Sequence, residues 1–101
     1  MDIEYIKKVA ADKRIHATVH AVHRMHERNL LIDDVIQALI NGVIIEEYYE
    51  DYPFQSCLIL GSYRERKIHI VCSYSDPVHI ITVYEPNRNE WEEDFRTRRK
   101  V

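Results

Sequence analysis

Apolar positions recur at helical spacing up to Gly42 and at strand spacing after it. Residues 2–12, DIEYIKKVAAD, place Ile3, Ile6, Val9 and Ala10 on one stripe, which predicts a helix capped by Asp2. The stretch from His20 to Gly42 predicts two more helices. In the first, Ala21, Val22 and Met25 form the apolar stripe, and Asn29 ends it, because Asn tolerates the left-handed conformation of a helix exit. The second runs from about Ile32 to Asn41, with Asp33 and Asp34 in the first turn, where the helix dipole favours negative charge. Its expected buried face is Ile32, Val35, Ile36, Leu39 and Ile40, and Gly42 is expected to cap its end. Residues 13–19, KRIHATV, fit either the start of the His20 helix or a short extended approach to it.

From Val43 to Tyr49 the chain is rich in β-branched and aromatic types and predicts a strand. Glu50 to Ser56 reads as a loop, Cys57 to Tyr63 as a strand, Ser62 to Lys67 as a hairpin turn and Ile68 to Tyr74 as the next strand. Ser75, Asp76 and Pro77 form a turn before the strand Val78 to Tyr84. Residues 88–96, RNEWEEDFR, predict a short helix burying Trp91 and Phe95, followed by a basic tail from about residue 97. Helices first and turn-linked strands afterwards give an α+β fold: N-terminal helices on a mainly antiparallel four-stranded sheet, with a short C-terminal helix. Alternation along the strands puts His69, Ser73, Thr82 and Tyr84 on the mixed face, the one expected to stay partly open.

The length of 101 residues suits one domain spanning residues 1–101. No apolar run approaches the roughly 20 residues of a membrane span, and the N-terminus lacks the apolar segment of a secretory signal. The expected location is the cytoplasm, with no membrane partner. Cys57 and Cys72 lie in apolar strands without CxxC spacing and read as reduced, buried thiols. A net charge of −3 argues against broad nucleic-acid binding by charge alone, but the charges are segregated. Residues 46–51, EEYYED, are acidic, whereas 64–67, RERK, and 96–100, RTRRK, are basic.

His20, Arg24 and Arg28 stand four residues apart on one helix stripe. His16, His20, His23 and Glu27 have spacings of four, three and four, which would share a helix face and suit a metal. Histidines on such a helix more often simply face water, so no metal and no cofactor are assigned. Tyr48, Tyr49, Tyr52 and Phe54 have rings that stack on bases, but their acidic neighbours suit a protein partner better, such as a basic segment laid along a sheet edge. With only two glycines, Gly42 and Gly61, the chain holds no phosphate-cradling Gly-rich loop.

Several strings together resemble an uncharacterised bacterial and archaeal domain family of the RelE/ParE-like toxin superfamily. They are H-A-x-x-R-M-x-x-R from His20, the D-D-V of Asp33 to Val35, and A-x-x-N-G-x-I-I-E-x-Y from Ala38. S-C-L-x-L-G from Ser56, I-H-I-V around His69, I-T-V-Y-E-P from Ile81 and the following Trp91 complete the set. The resemblance spans roughly residues 15–95. It implies a RelE-like fold and the toxin component of a type II toxin–antitoxin module. The implied activity is metal-independent RNA cleavage, on or off the ribosome, held in check by an antitoxin of zinc-finger or helix-turn-helix type. The chain departs from the superfamily in its acidic balance and in Leu31, where a small capping residue is usual.

Metal-free RNA cleavage needs a base for the 2′-hydroxyl, an acid for the leaving 5′-oxygen and cations for the charged phosphorane. The resemblance carries these roles to His20, His69 and Tyr84 as the catalytic set and to Arg24 and Arg28 as phosphate ligands. Arg64, Arg66 and Lys67 of the basic run extend the RNA-binding set. The competing reading makes His20 and His69 structural and pairs the arginines with Asp33, Asp34 or Glu47. The chain would then be a noncatalytic protein-interaction module on a RelE-like fold.

Overall fold

A computed structural model describes residues 1–100; Val101, the end of the expected basic tail, lies outside the described residues. Helix α1 spans Ile3–Ala11, with the Asp2 carboxylate accepting from the Glu4 amide at 2.9 Å, and buries Ile6, Val9 and Ala10. Strand β1, Ile15–Ala17, leads into helix α2, Val19–Glu27. Thr18 joins the two. Its hydroxyl oxygen accepts from the Ala21 amide as the helix cap and donates to the Ile81 carbonyl, each at 3.1 Å. Asn29 has φ of 55° and reverses the chain as expected. Helix α3, Ile32–Ile40, starts at Leu31, which has no capping side chain; Asp34 compensates by accepting from the Leu31 amide at 2.8 Å.

Strands β2, Val43–Tyr48, β3, Ser56–Tyr63, β4, Arg66–Ser73, and β5, Val78–Tyr84, follow. Among the described residues the sheet has five strands in the order β1-β5-β4-β3-β2. The four later strands are antiparallel, as expected, but β1 adds a fifth, parallel to β5, so the sheet is mixed. Three residues are enough here because Thr18 and Arg14 extend the ladder, through Thr18 N–H to Ile80 O and Val78 N–H to Arg14 O, each 3.0 Å. The β3–β4 turn is held by Arg64 and Glu65, both with positive φ, which matches the right-handed strand twist.

The helices cover one sheet face. Ile6, Val9, Ala21, Met25, Val35 and Leu39 pack onto Cys57, Ile59, Ile68, Ile70, Cys72, Ile80 and Val83. Both cysteines are free and buried, their sulfurs 4.0 Å apart on paired positions. Val22, Ile32 and Ile40, expected inside, are exposed, and Ala38 takes part in the buried face instead. Gly42 is also not a left-handed cap, since no glycine has positive φ. It is needed for space: a Cβ there would lie 2.9 Å from Ala38 O and 3.0 Å from Leu60 O.

The expected C-terminal helix over 88–96 does not form. Residues 85–100 instead make a strap of turns across the other sheet face, closed by a Trp91–Arg98 bridge. Side chains outcompete the helix locally. Asn87 accepts from the Asn89 and Glu90 amides, Asp94 from the Arg96 and Thr97 amides, and Phe95 takes φ of 56°.

Candidate functional site

The sheet face opposite the helices carries a polar cluster at its centre. β-Pairing sets His69 beside Leu60 on one side and Tyr84 on the other. The strap then seals it. The Trp91 ring meets His69 edge-on at 4.5 Å, and Arg98 lies 4.5 Å above the Trp91 ring. Arg98 also grips Glu46 at 2.7 and 3.0 Å, and Tyr48 donates to the same carboxylate at 2.6 Å. Those contacts hold the Glu46 carboxyl below its ordinary pKa, chiefly through the Arg98 bond.

His69 is 0% exposed, and both ring nitrogens are engaged. Nε2 lies 2.7 Å from the Phe95 carbonyl oxygen and Nδ1 lies 3.2 Å from the Tyr84 hydroxyl. A carbonyl only accepts, so Nε2 carries the proton; in the neutral ring Nδ1 then accepts from Tyr84 O–H. Burial pushes the His69 pKa down, against a smaller upward pull from the Phe95 carbonyl. Burial also pushes the Tyr84 phenol up. At neutral pH the pair is therefore an uncharged imidazole with its base nitrogen facing an intact phenol.

The candidate residues do not form one group. His69 and Tyr84 are in contact. Arg66, at the start of β4, reaches the Arg28 carbonyl at 2.9 Å and the Glu85 carboxylate at 2.7 Å, which brings the end of α2, the β3–β4 hairpin and the end of β5 together. Arg64 lies over the Tyr63 ring at 5.4 Å, and Lys67 lines an open groove of about 280 Å³ with Asn41, Ser62 and Arg96. His20 and Arg24 belong to α2; His20 is exposed and Arg24 pairs with Glu27 at 3.2 Å. No hydrogen bond or ring contact among the described residues joins His20 to His69 or Tyr84. The expected partners Asp33, Asp34 and Glu47 hold none of these arginines; Arg66 uses Glu85 and Arg24 uses Glu27.

The helical metal set is dismantled: His16 lies on β1, not on the face of α2 that carries His20 and His23. Among the described residues no group of three or more metal-ligating side chains assembles. Trp91, expected only as a buried helix residue, joins the cluster from the strap; Glu46 and Arg98, which spacing did not single out, belong to it as well. Their one advance sign was opposite charge, the 46–51 run against the 96–100 run, which pairing of β2 with the strap brings into contact. The aromatic group divides. Tyr48 turns into the cluster, while Tyr52 and Phe54 edge a separate cavity of about 470 Å³ with Asp51, Ser73, His79 and Ile81.

No helix is long and apolar enough to cross a membrane. No curated protein and no solved structure matches the chain. A family model described as a domain of unknown function, DUF4258, matches residues 17–85, which run from the end of β1 to the end of β5 and include His20, Arg24, Arg28, His69 and Tyr84 but not Trp91 or Arg98; the chain belongs to that family.

Proposed function

We propose that this chain is a RelE-like toxin component that cleaves RNA without a metal and is neutralised by a cognate antitoxin of zinc-finger or helix-turn-helix type in the cytoplasm. The observation that carries this reading is the His69–Tyr84 contact, with the His69 tautomer fixed by Phe95 and the Arg66-centred basic end of the sheet close by. Tyr84 is only partly buried and is the member of the pair within reach of a substrate. The 2′-hydroxyl oxygen attacks phosphorus, and its proton passes to Tyr84 while the Tyr84 proton passes to His69 Nδ1. The P–O5′ bond breaks, and the 5′-oxygen takes a proton from His20. Arg24, Arg28, Arg66 and Lys67 hold the phosphates. The Phe95 carbonyl steadies the imidazolium as it forms, as a hydrogen-bonded orienting group does for other catalytic histidines.

Tyr84→Phe tests this most cleanly, because it removes one hydroxyl and keeps the ring. Induced in a bacterial host, the wild-type chain should arrest growth and produce new RNA ends, and Tyr84→Phe should lower cleavage about 100-fold or more. Full arrest by folded Tyr84→Phe would end the relay assignment.

A second reading has its own support. His69 is sealed beneath Trp91, and Arg24 and Arg66 are occupied by Glu27 and Glu85. That arrangement suits a noncatalytic module that keeps the fold for protein binding. Capture of a protein partner by soluble wild-type chain that leaves RNA intact would favour it.

A further inference from the structure

Away from the His69 cluster, β1 and β5 bring two more histidines face to face. His16 and His79 are a paired position of the parallel ladder, and their Nδ1 atoms are 3.4 Å apart. That is long for an N–H hydrogen bond, which favours about 2.7–3.2 Å. It is close to the separation of two nitrogens on one tetrahedral zinc ion, about 3.3–3.4 Å when each Zn–N bond is about 2.0–2.1 Å. The rings stand at 76° to one another, and the Phe54 ring stacks on His79 at 19° and 5.6 Å, fixing its plane. His79 also borders the open cavity of about 470 Å³ that Asp51, Ser73 and Tyr52 line, which leaves space for the remaining ligands of an ion.

We propose that His16 and His79 bind a borderline divalent cation of the zinc class through their Nδ1 atoms, with the remaining positions filled by water or an anionic ligand from the cavity. Imidazole donors suit zinc, nickel and copper and not magnesium or calcium. The ion would clamp β1, a three-residue edge strand, onto β5, and through Thr18 it would also tie down the start of α2. This site is independent of the RNA reading and shares no residue with it.

The test uses the full chain without a histidine tag, titrated with zinc chloride by calorimetry and by thermal melting. The expected result is one zinc per chain with a rise in Tm. Binding should weaken at least tenfold in His16→Ala and in His79→Ala and persist in the His20→Ala, His23→Ala double variant, which removes two of the three α2 histidines instead. Far-ultraviolet circular dichroism confirms that each variant is folded. Zinc binding that survives either His16→Ala or His79→Ala, or that disappears in the α2 double variant, would overturn the assignment. So would a wild-type chain that takes up no zinc.

Discussion

His69 couples folding to pH. Its folded pKa is depressed by burial, so the unfolded chain binds the proton more tightly than the native one. The stability this residue contributes is fully present above the ordinary imidazole value of about 6.5 and is lost as pH falls through the lower folded value. Urea unfolding followed from pH 7 to pH 5 should therefore show falling stability. His69→Gln, which fills part of the space and does not titrate, should flatten that slope even if its stability at pH 7 is lower; an unchanged slope would remove His69 as the source. Gly61 makes a different residue-scale case. A Cβ there would sit 2.0 Å from Ala38 O and 2.7 Å from Ala38 C, backbone atoms that cannot swing aside. Gly61→Ala should cost about 3 kcal/mol or more, the upper end of overpacking effects, and more than Gly42→Ala, whose nearest neighbour is the Ile59 side chain. The midpoints of urea unfolding for the two variants decide it.

At the scale of elements, Thr18 is the joint between β1 and α2. Thr18→Ala should cost about 1–2 kcal/mol, as lost helix caps do, and should speed hydrogen exchange at the Ala21 amide before it affects β4. The helices and the four later strands were legible in the chain because each carries a long, regular apolar period. β1 was legible only as one of two alternatives for residues 13–19, and its pairing not at all, because three residues are too few to show a period and its partner lies more than sixty positions away. The strap misled for a related reason. Trp91 and Phe95 are spaced like one face of a helix, and only Trp91 is buried. The turn-forming bonds of Asn87 and Asp94 leave no periodic trace, although Asn and Asp in a short polar stretch are their raw material. The candidate site was legible as residue types and not as a grouping. His69 and Tyr84 meet because their strands pair, whereas His20 shares its four-residue stripe with Arg24 and Arg28 on a helix that no observed contact connects to the pair.

For the whole molecule, the sheet is covered unequally. Three helices bury a continuous apolar cluster on one face, whereas the strap buries one large side chain, Trp91, on the other. Fewer buried contacts mean a smaller free energy of local opening, so the strap should open without the sheet. Amides of residues 87–100 should exchange about 100-fold or more faster than those at the centre of β3 and β4, a gap of about 2.7 kcal/mol in opening free energy. Arg98 is the strap's main tie, through Glu46 and the Trp91 ring, and its side chain is 57% exposed, so solvent screening limits its worth to about 1 kcal/mol. Arg98→Ala should accordingly speed strap exchange by about fivefold, leave β4 exchange unchanged, and shift the fluorescence of Trp91, the chain's one tryptophan, to the red. The same variant bears on the chemistry. Under the proposed RNA-cleaving reading, loosening the strap raises cleavage where RNA reaches Tyr84 only when the strap lifts, and lowers it where the strap forms part of the RNA surface. Strap amides that exchange at the same slow rate as β4 would show one cooperative unit. His69 would then be sealed for the life of the fold, and only the exposed edge of Tyr84 would be left to meet a substrate.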